Sequence, residues 1–297
     1  MSTNLSSTNQ LATYSFEEGI STITLDDGKA NVMSVQMLAE INAALDEAEK
    51  RGGVVILTGR EKMFSGGFDL SVFKAGDQEQ TYTMLSNGAR LAERLLGFPL
   101  PIITACSGHA VAMGIFLLVA TDYRIGVEGD SKFAANEVAI GMTVPHFAIR
   151  VLRQRLTPQQ LNKAINFAHY FSTAEALQAG IIDELTDPSE LMAVARQRAT
   201  EALKLDAGAH TSSKLRLREV LLQDIARDIE RDCETSAGRL IDASDTFRLC
   251  WHRVTCYTRA LTGGDSDSTP VSTPGVHVER VVTLVNQLLQ LYSCQRR

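Results

Sequence analysis

Residues 63–70 read Met63-Phe64-Ser65-Gly66-Gly67-Phe68-Asp69-Leu70, a Gly-Gly bend set between an apolar strand and a helix. A second small-residue turn, Gly108-His109-Ala110-Val111-Ala112-Met113-Gly114, also follows a strand and opens an apolar helix. An isolated carboxylate, Glu137, stands in Phe133-Ala134-Ala135-Asn136-Glu137-Val138-Ala139-Ile140-Gly141. Glycine lets a backbone approach a ligand closely and adopt positive φ. Free N–H groups at a helix start point outward and favour negative charge. Two such turns facing each other can hold one oxygen that turns negative during a reaction, and a nearby glutamate supplies proton chemistry.

Outward from these segments, the chain reads as α/β. Tyr14-Ser15-Phe16 and Ile20–Leu25 alternate as paired strands do, with Glu18-Gly19 as a hairpin turn. Ser34 is placed to cap a helix whose apolar positions Met37, Leu38, Ile41, Ala44, Leu45 and Ala48 recur at helical spacing. Gly53–Thr58 is a continuously apolar strand of the buried parallel type. A helix over Gln80–Leu96, a strand over Pro101–Ala105, a short apolar helix to Val119 and a strand over Asp122–Val127 follow. After Gly141 the pattern is mostly helical, with segments near 144–155, 157–168, 173–179, 188–205 and 211–231. Past Asp232 the composition changes: four of the five cysteines and the only tryptophan, Trp251, lie there, with no lysine. Thr262–Pro270 reads as a linker, and Val278, Val281, Val282, Val285, Leu288 and Leu289 as one amphipathic helix.

At 297 residues the chain can bury a sizeable core, and its 44% hydrophobic and 22% charged content suits a soluble globular protein. A net charge of −6 with a pI near 5.6 argues against a general nucleic-acid binder. No apolar run is long enough to span a membrane, and neither Met1–Gln10 nor Cys294–Arg297 reads as a targeting signal, so the cytoplasm is expected. The cysteines form no zinc spacing, Cys250 and His252 notwithstanding, so no metal is expected.

The segments Lys29-Ala30-Asn31-Val32-Met33-Ser34, Phe64–Leu70, Gly108–Gly114, Asp122-Tyr123-Arg124-Ile125 and Glu137 with Ile140-Gly141 resemble, in order and spacing, those of the crotonase (enoyl-CoA hydratase/isomerase) family. The resemblance runs from about Tyr14 to about Asp232. It implies a spiral of ββα units of the crotonase (ClpP-like) kind with a C-terminal helical region. It also implies acyl-CoA thioester substrates, with coenzyme A as part of the substrate rather than a cofactor, and assembly as a homotrimer or dimer of trimers. The domain reading is residues 1–12 as a flexible start, 13–232 as the acyl-CoA domain and 233–297 as an extension of unknown role.

By the same resemblance, the N–H groups of Phe68 and Met113 form an oxyanion hole and Glu137 is the acid/base. Lys29, Ala30, Asn31, Phe64, Ser65, Gly66, Asp69 and Leu70 contact CoA, mainly through backbone groups; Asp69 is read as fixing the loop rather than as a base. Phe116 and His146 line the acyl pocket, with His146 as wall or auxiliary acid/base. The family's hydratases carry a second glutamate two residues beyond the position of Gly114, where this chain has Phe116. Hydration needs one group to activate water and another to deliver a proton, whereas moving a double bond from position 3 to position 2 needs one carboxylate that lends a proton back. The residues therefore favour a 3-enoyl-CoA to 2-enoyl-CoA isomerase. The rivals are an enoyl-CoA hydratase of fatty-acid β-oxidation and a non-catalytic acyl-CoA-binding relative.

Overall fold

The computed structural model describes residues 10–233, so the readings of Cys250, His252, Trp251, the 262–270 linker and the 278–289 helix lie outside the described residues. β1 (Ala12–Glu17) and β2 (Ile20–Leu25) form the expected antiparallel hairpin, with Glu18 (φ 52°) and Gly19 (φ 80°) both left-handed as a tight two-residue turn requires. α1 (Val35–Arg51) starts where Ser34 Oγ accepts the Met37 N–H at 3.1 Å and stops at Gly52 (φ 74°). Its six apolar positions named above are all buried.

From there the chain repeats one operation. β3 (Val54–Thr58) pairs parallel with β2, and β4 (Lys62–Ser65) leaves for a second sheet. α2 (Leu70–Ala75) and α3 (Gln78–Gly97) return the chain to β5 (Ile102–Cys106) in the first sheet and β6 (Gly108–Val111) in the second. α4 (Met113–Ala120) then leads to β7 (Tyr123–Val127) in the first and β8 (Lys132–Ala134) in the second. Each ββα turn thus adds one strand to each sheet. The first has the order β1-β2-β3-β5-β7-β10 and the second β4-β6-β8-β9, with β9 at Phe171–Ser172 and β10 at Glu184–Thr186. This is the implied spiral of ββα units.

Two features depart from the sequence reading. Gly108–Val111 is a strand, not part of a turn, and the true bend falls at Ala112. The region read as mostly helical also contains two short strands in the gaps between its helices, β9 between α6 (Pro158–Asn166) and α7 (Thr173–Ala179) and β10 between α7 and α8 (Leu191–Ala202). α5 (His146–Arg153) precedes them, and α9, the last helix among the described residues, runs over 207–233.

α9 is tied to the core by its own side chains. Lys214 Nζ lies 2.6 Å from Asp122 and 3.0 Å from the Leu100 carbonyl. Near its end, Asp232 accepts the backbone N–H groups of His146 and Phe147, each at 3.0 Å, and His146 Nδ1 lies 2.6 Å away. Asp232 therefore caps α5, which has no side-chain cap of its own. A caps-type loss costs about 1 kcal/mol. A chain ending after Cys233 should keep the melting temperature of the described fold, whereas one ending at Arg231 should melt measurably lower. Differential scanning calorimetry of the two truncations checks this, and equal melting temperatures would count against the cap.

Candidate active site

β4 and β6 run parallel, and each ends in a bend that turns into a helix. At the first bend Gly67 has φ 96° and its carbonyl accepts the Met33 N–H at 2.8 Å. A methyl on Gly67 would stand 2.7 Å from Ala112 Cβ and 3.4 Å from the Met113 amide nitrogen. The two bends therefore abut, and only glycine fits between them. Gly114 is equally constrained, since a methyl there would lie 2.4 Å from the Ser65 carbonyl oxygen.

At the second bend Ala112 takes φ 50°, ψ −124°, a conformation that costs a residue with a Cβ about 1–3 kcal/mol. α4 begins at the next residue with no side-chain cap. Ile115 and Phe116 donate their N–H groups to the Ala112 carbonyl, at 3.1 and 3.4 Å. Met113 is the first residue of the helix, so its N–H has no intrahelical acceptor. Phe68 likewise stands before the first turn of α2, whose cap is Asp69: its Oδ1 accepts the Ser71 N–H at 2.8 Å, the loop-fixing part expected of it. All eight residues of α4 are buried, so its start sits in an apolar surround where a hydrogen bond counts for more than in water.

Glu137 opens a 3-10 turn, Glu137–Ile140, that follows β8. Its exposure is 7%, and Oε2 has no hydrogen-bond partner among the described residues. Burial pushes its carboxyl up to about 7, opposed only by a bond from its own backbone N–H. A carboxyl with that balance exists in both protonation states near neutrality, which suits a group that takes a proton and gives it back.

The Lys29–Asn31 and Phe64–Gly66 segments lie side by side, the Gly66 N–H donating to the Ala30 carbonyl at 2.8 Å. Asn31 (φ 49°) is wholly buried, and its amide nitrogen donates to the carbonyls of Leu25, Met63 and Phe64. Ser65 Oγ donates to the Asn31 carbonyl at 2.8 Å. The side chains of Asn31, Phe64 and Ser65 are thus spent on holding the two segments together. Lys29 and Gly66 are exposed, and Ala30, Asp69 and Leu70 partly so. Phe116 is buried and meets the Phe147 ring edge-on at 6.1 Å. His146 is the part-exposed partner of Asp232.

A family model described as enoyl-CoA hydratase/isomerase matches residues 15–230. The chain belongs to that family. A solved structure of an enoyl-CoA hydratase/isomerase family protein from Pseudomonas syringae is 40% identical, with a TM-score of 0.74, covering 75% of this chain and 97% of its own. A Mycobacterium tuberculosis protein is named probable enoyl-CoA hydratase EchA3 in one structure, at 37% identity, TM-score 0.75 and coverage of 78% and 98%. In another it is named an enoyl-CoA isomerase, at 38% identity, TM-score 0.72 and coverage of 76% and 98%. The short-chain-enoyl-CoA hydratase of Clostridium acetobutylicum is 29% identical over 240 residues, covering 79% of this chain and 87% of its own length.

Within this hydratase/isomerase framework, three contributors escaped the sequence reading. Gly88, inside α3, leaves room for the Phe68 ring, since a methyl there would stand 2.6 Å from two of its carbons. Asp232 reaches α5 from the far end of the described chain. Tyr170, next to β9, accepts a hydrogen bond from Asn136 Nδ2 at 3.1 Å, immediately beside Glu137. A lone helical glycine and a Tyr before a two-residue strand carry no motif; both are visible only once the strands are paired. Among the described residues no group of three His, Cys, Asp or Glu side chains could hold a metal, and no helix is long and apolar enough to cross a membrane.

Proposed function

We propose that this hydratase/isomerase-family chain is an isomerase that moves the double bond of a fatty enoyl-CoA from position 3 to position 2. The observation that carries the reading is one buried carboxylate among the described residues, Glu137, while Phe116, at the position where the family's hydratases carry their second glutamate, is buried and apolar. The thioester oxygen sits between the N–H groups of Phe68 and Met113, each worth roughly 3 kcal/mol to the developing enolate. Glu137 removes a proton from the carbon next to the carbonyl and returns it two carbons farther along. The apolar α4 surround keeps water from the dienolate.

CoA lies along the paired Lys29–Asn31 and Phe64–Leu70 segments, held by their free backbone groups, with Lys29 available to a phosphate. Assembly as a homotrimer or dimer of trimers is carried over from the family resemblance, and the exposed apolar residues Leu217 and Val220 on α9 are compatible with burial against a further copy.

The test is to incubate the protein separately with a 3-enoyl-CoA and a 2-enoyl-CoA and to identify the products. Conversion of the first to the 2-enoyl-CoA, with a rate that falls as pH drops through about 7 while Glu137 becomes protonated, is the expected result. Rapid hydration of the 2-enoyl-CoA without any shift of the 3-enoyl-CoA would instead give the hydratase reading that several relatives' names carry.

A further inference from the structure

We propose that the chain carries a second ligand site, an arginine-lined cavity at the opposite end of α4 from the two bends, which binds a phosphate or diphosphate group. The cavity measures about 420 Å³, within the range of small-ligand pockets. Its lining comes from α5, α9 and the start of β7. Arg124, Arg150, Arg153, Arg155 and Arg218 line it, with one carboxylate, Asp224, among them. Leu217 and Val220, both exposed, form an apolar margin.

Ion pairing within the fold accounts for only part of this cluster. Arg150 Nε lies 2.9 Å from Asp228 and its Nη1 3.1 Å from Asp224. Asp183 pairs with both Arg124 and Arg155, and Asp122 lies 2.9 Å from Arg218. Asp224 also serves Arg227, and Asp122 also serves Lys214. Six cations thus share four carboxylates, and Arg153, at the end of α5, makes a seventh. Arg153 is exposed and has no hydrogen bond or ion pair among the described residues. Behind it Arg124 is 1% exposed, and its Nε has no partner among the described residues. Burial pushes that guanidinium down to about 10 against the pull of Asp183, with Arg155 and Arg218 adding repulsion. Positive charge in such a recess attracts an anion more strongly than it would in open water. Guanidinium forks match the paired oxygens of a phosphate, whose near-double charge answers the excess better than a single carboxylate does.

The cavity is not part of the acyl-CoA site. Arg124 Nη1 donates to the Thr121 carbonyl at 2.6 Å, and Gln154 Nε2 to the Val119 carbonyl at 3.2 Å. Two lining residues therefore hold the C-terminal end of α4. The Met113 N–H stands at the other end of that eight-residue helix, about 12 Å away along its axis. Neither Lys29–Asn31 nor Phe64–Leu70 contributes to the lining.

The test is calorimetric titration of the full chain with inorganic phosphate and with diphosphate, at two temperatures and constant ionic strength set by chloride. One saturable site per chain is expected, with diphosphate the tighter of the two. Arg153→Gln strands no partner, so the fold should survive while diphosphate affinity falls about tenfold or more, the size of one charge-assisted hydrogen bond. Arg153→Lys should keep part of the affinity, since it retains the charge and loses the fork. Val220→Glu sets a carboxylate at the margin and should weaken binding without touching an arginine. Lys50→Gln, on the exposed side of α1, removes the same unit charge elsewhere and should leave affinity within about twofold. Repeating the diphosphate titration with saturating saturated acyl-CoA should give the same affinity. Absence of saturable diphosphate binding at both temperatures would overturn the proposal, as would equal losses in Arg153→Gln and Lys50→Gln. Displacement of diphosphate by acyl-CoA would overturn it too, by placing the anion at the acyl-CoA bends. No arm involves turnover, so the outcome is independent of the isomerase reading.

Discussion

Glu137→Gln should lower isomerase turnover by about three orders of magnitude or more, the upper part of what general acid–base catalysis supplies, while acyl-CoA affinity stays nearly unchanged. The amide keeps the shape of the carboxyl and cannot accept the proton, so the loss falls on kcat rather than on binding. Stopped-flow turnover with a 3-enoyl-CoA and calorimetric titration with a saturated acyl-CoA separate the two. Full turnover in the variant would mean another group carries the proton, and His146 would be the first to examine. The same substitution has a second signature in stability. Because the folded carboxyl sits at about 7 against an ordinary value of 4.5, the native state holds its proton over a window in which the unfolded chain has lost it. Native stability therefore falls as pH rises from 4.5 through about 7, by up to about 3 kcal/mol once both states are ionised. Gln carries no such charge. The variant should gain melting temperature relative to wild type at pH 8 and show no such gain near pH 4.5. A function that keeps an uncompensated carboxylate in an apolar site destabilises the fold, and removing it should expose that trade-off.

What the sequence disclosed and what it withheld divide along a physical line. Segments whose information is local were legible. The Ser34 cap, the Glu18-Gly19 turn, the buried run Val54–Thr58 and the α7 boundaries all follow from neighbours in the chain. The Gly66-Gly67 bend and Glu137 stood out in the sequence because a Gly-Gly bend and a lone carboxylate among apolar residues are unusual in themselves. The second sheet was not. β6, β8 and β9 are only four, three and two residues long, too short for alternation to register, and each is a strand only because its partner lies alongside. Gly108 illustrates the confusion. It reads as turn chemistry, but it is glycine because β4 crosses so closely that a methyl would meet the Lys62 carbonyl carbon at 1.9 Å. The same holds for Asn31: as a sequence residue it resembles a ligand contact, and in the fold its side chain ties three carbonyls together. Motif membership therefore did not separate residues that face the reacting oxygen from residues that hold the bends in place.

Asp122→Ala is the clearest case of a motif residue whose part is structural, and it should lower stability by about 3–5 kcal/mol. Asp122 Oδ2 accepts the Ile102 N–H at 2.8 Å and the Lys214 ammonium at 2.6 Å, and Oδ1 lies 2.9 Å from Arg218. One carboxylate thus joins β5, the entry to β7 and α9. Lys214 is almost wholly buried, and burial lowers its pKa against the pull of Asp122. Deleting the carboxylate strands that ammonium with only the Leu100 carbonyl as a partner and leaves a buried N–H unsatisfied. At roughly 2–4 °C per kcal/mol for a domain of this size, melting should drop by about 10 °C. Asp122→Asn, which keeps an acceptor but no charge, should fall between wild type and Ala. Lys214→Met in the Asp122→Ala background should recover part of the loss, because it removes the stranded charge rather than adding a contact. Turnover at low temperature should be unaffected, since Asp122 touches neither bend nor Glu137. If Asp122→Ala melted with wild type, the carboxylate would not be what fastens α9 to the sheet. If it stayed folded but lost turnover, the motif would have a part in the chemistry after all.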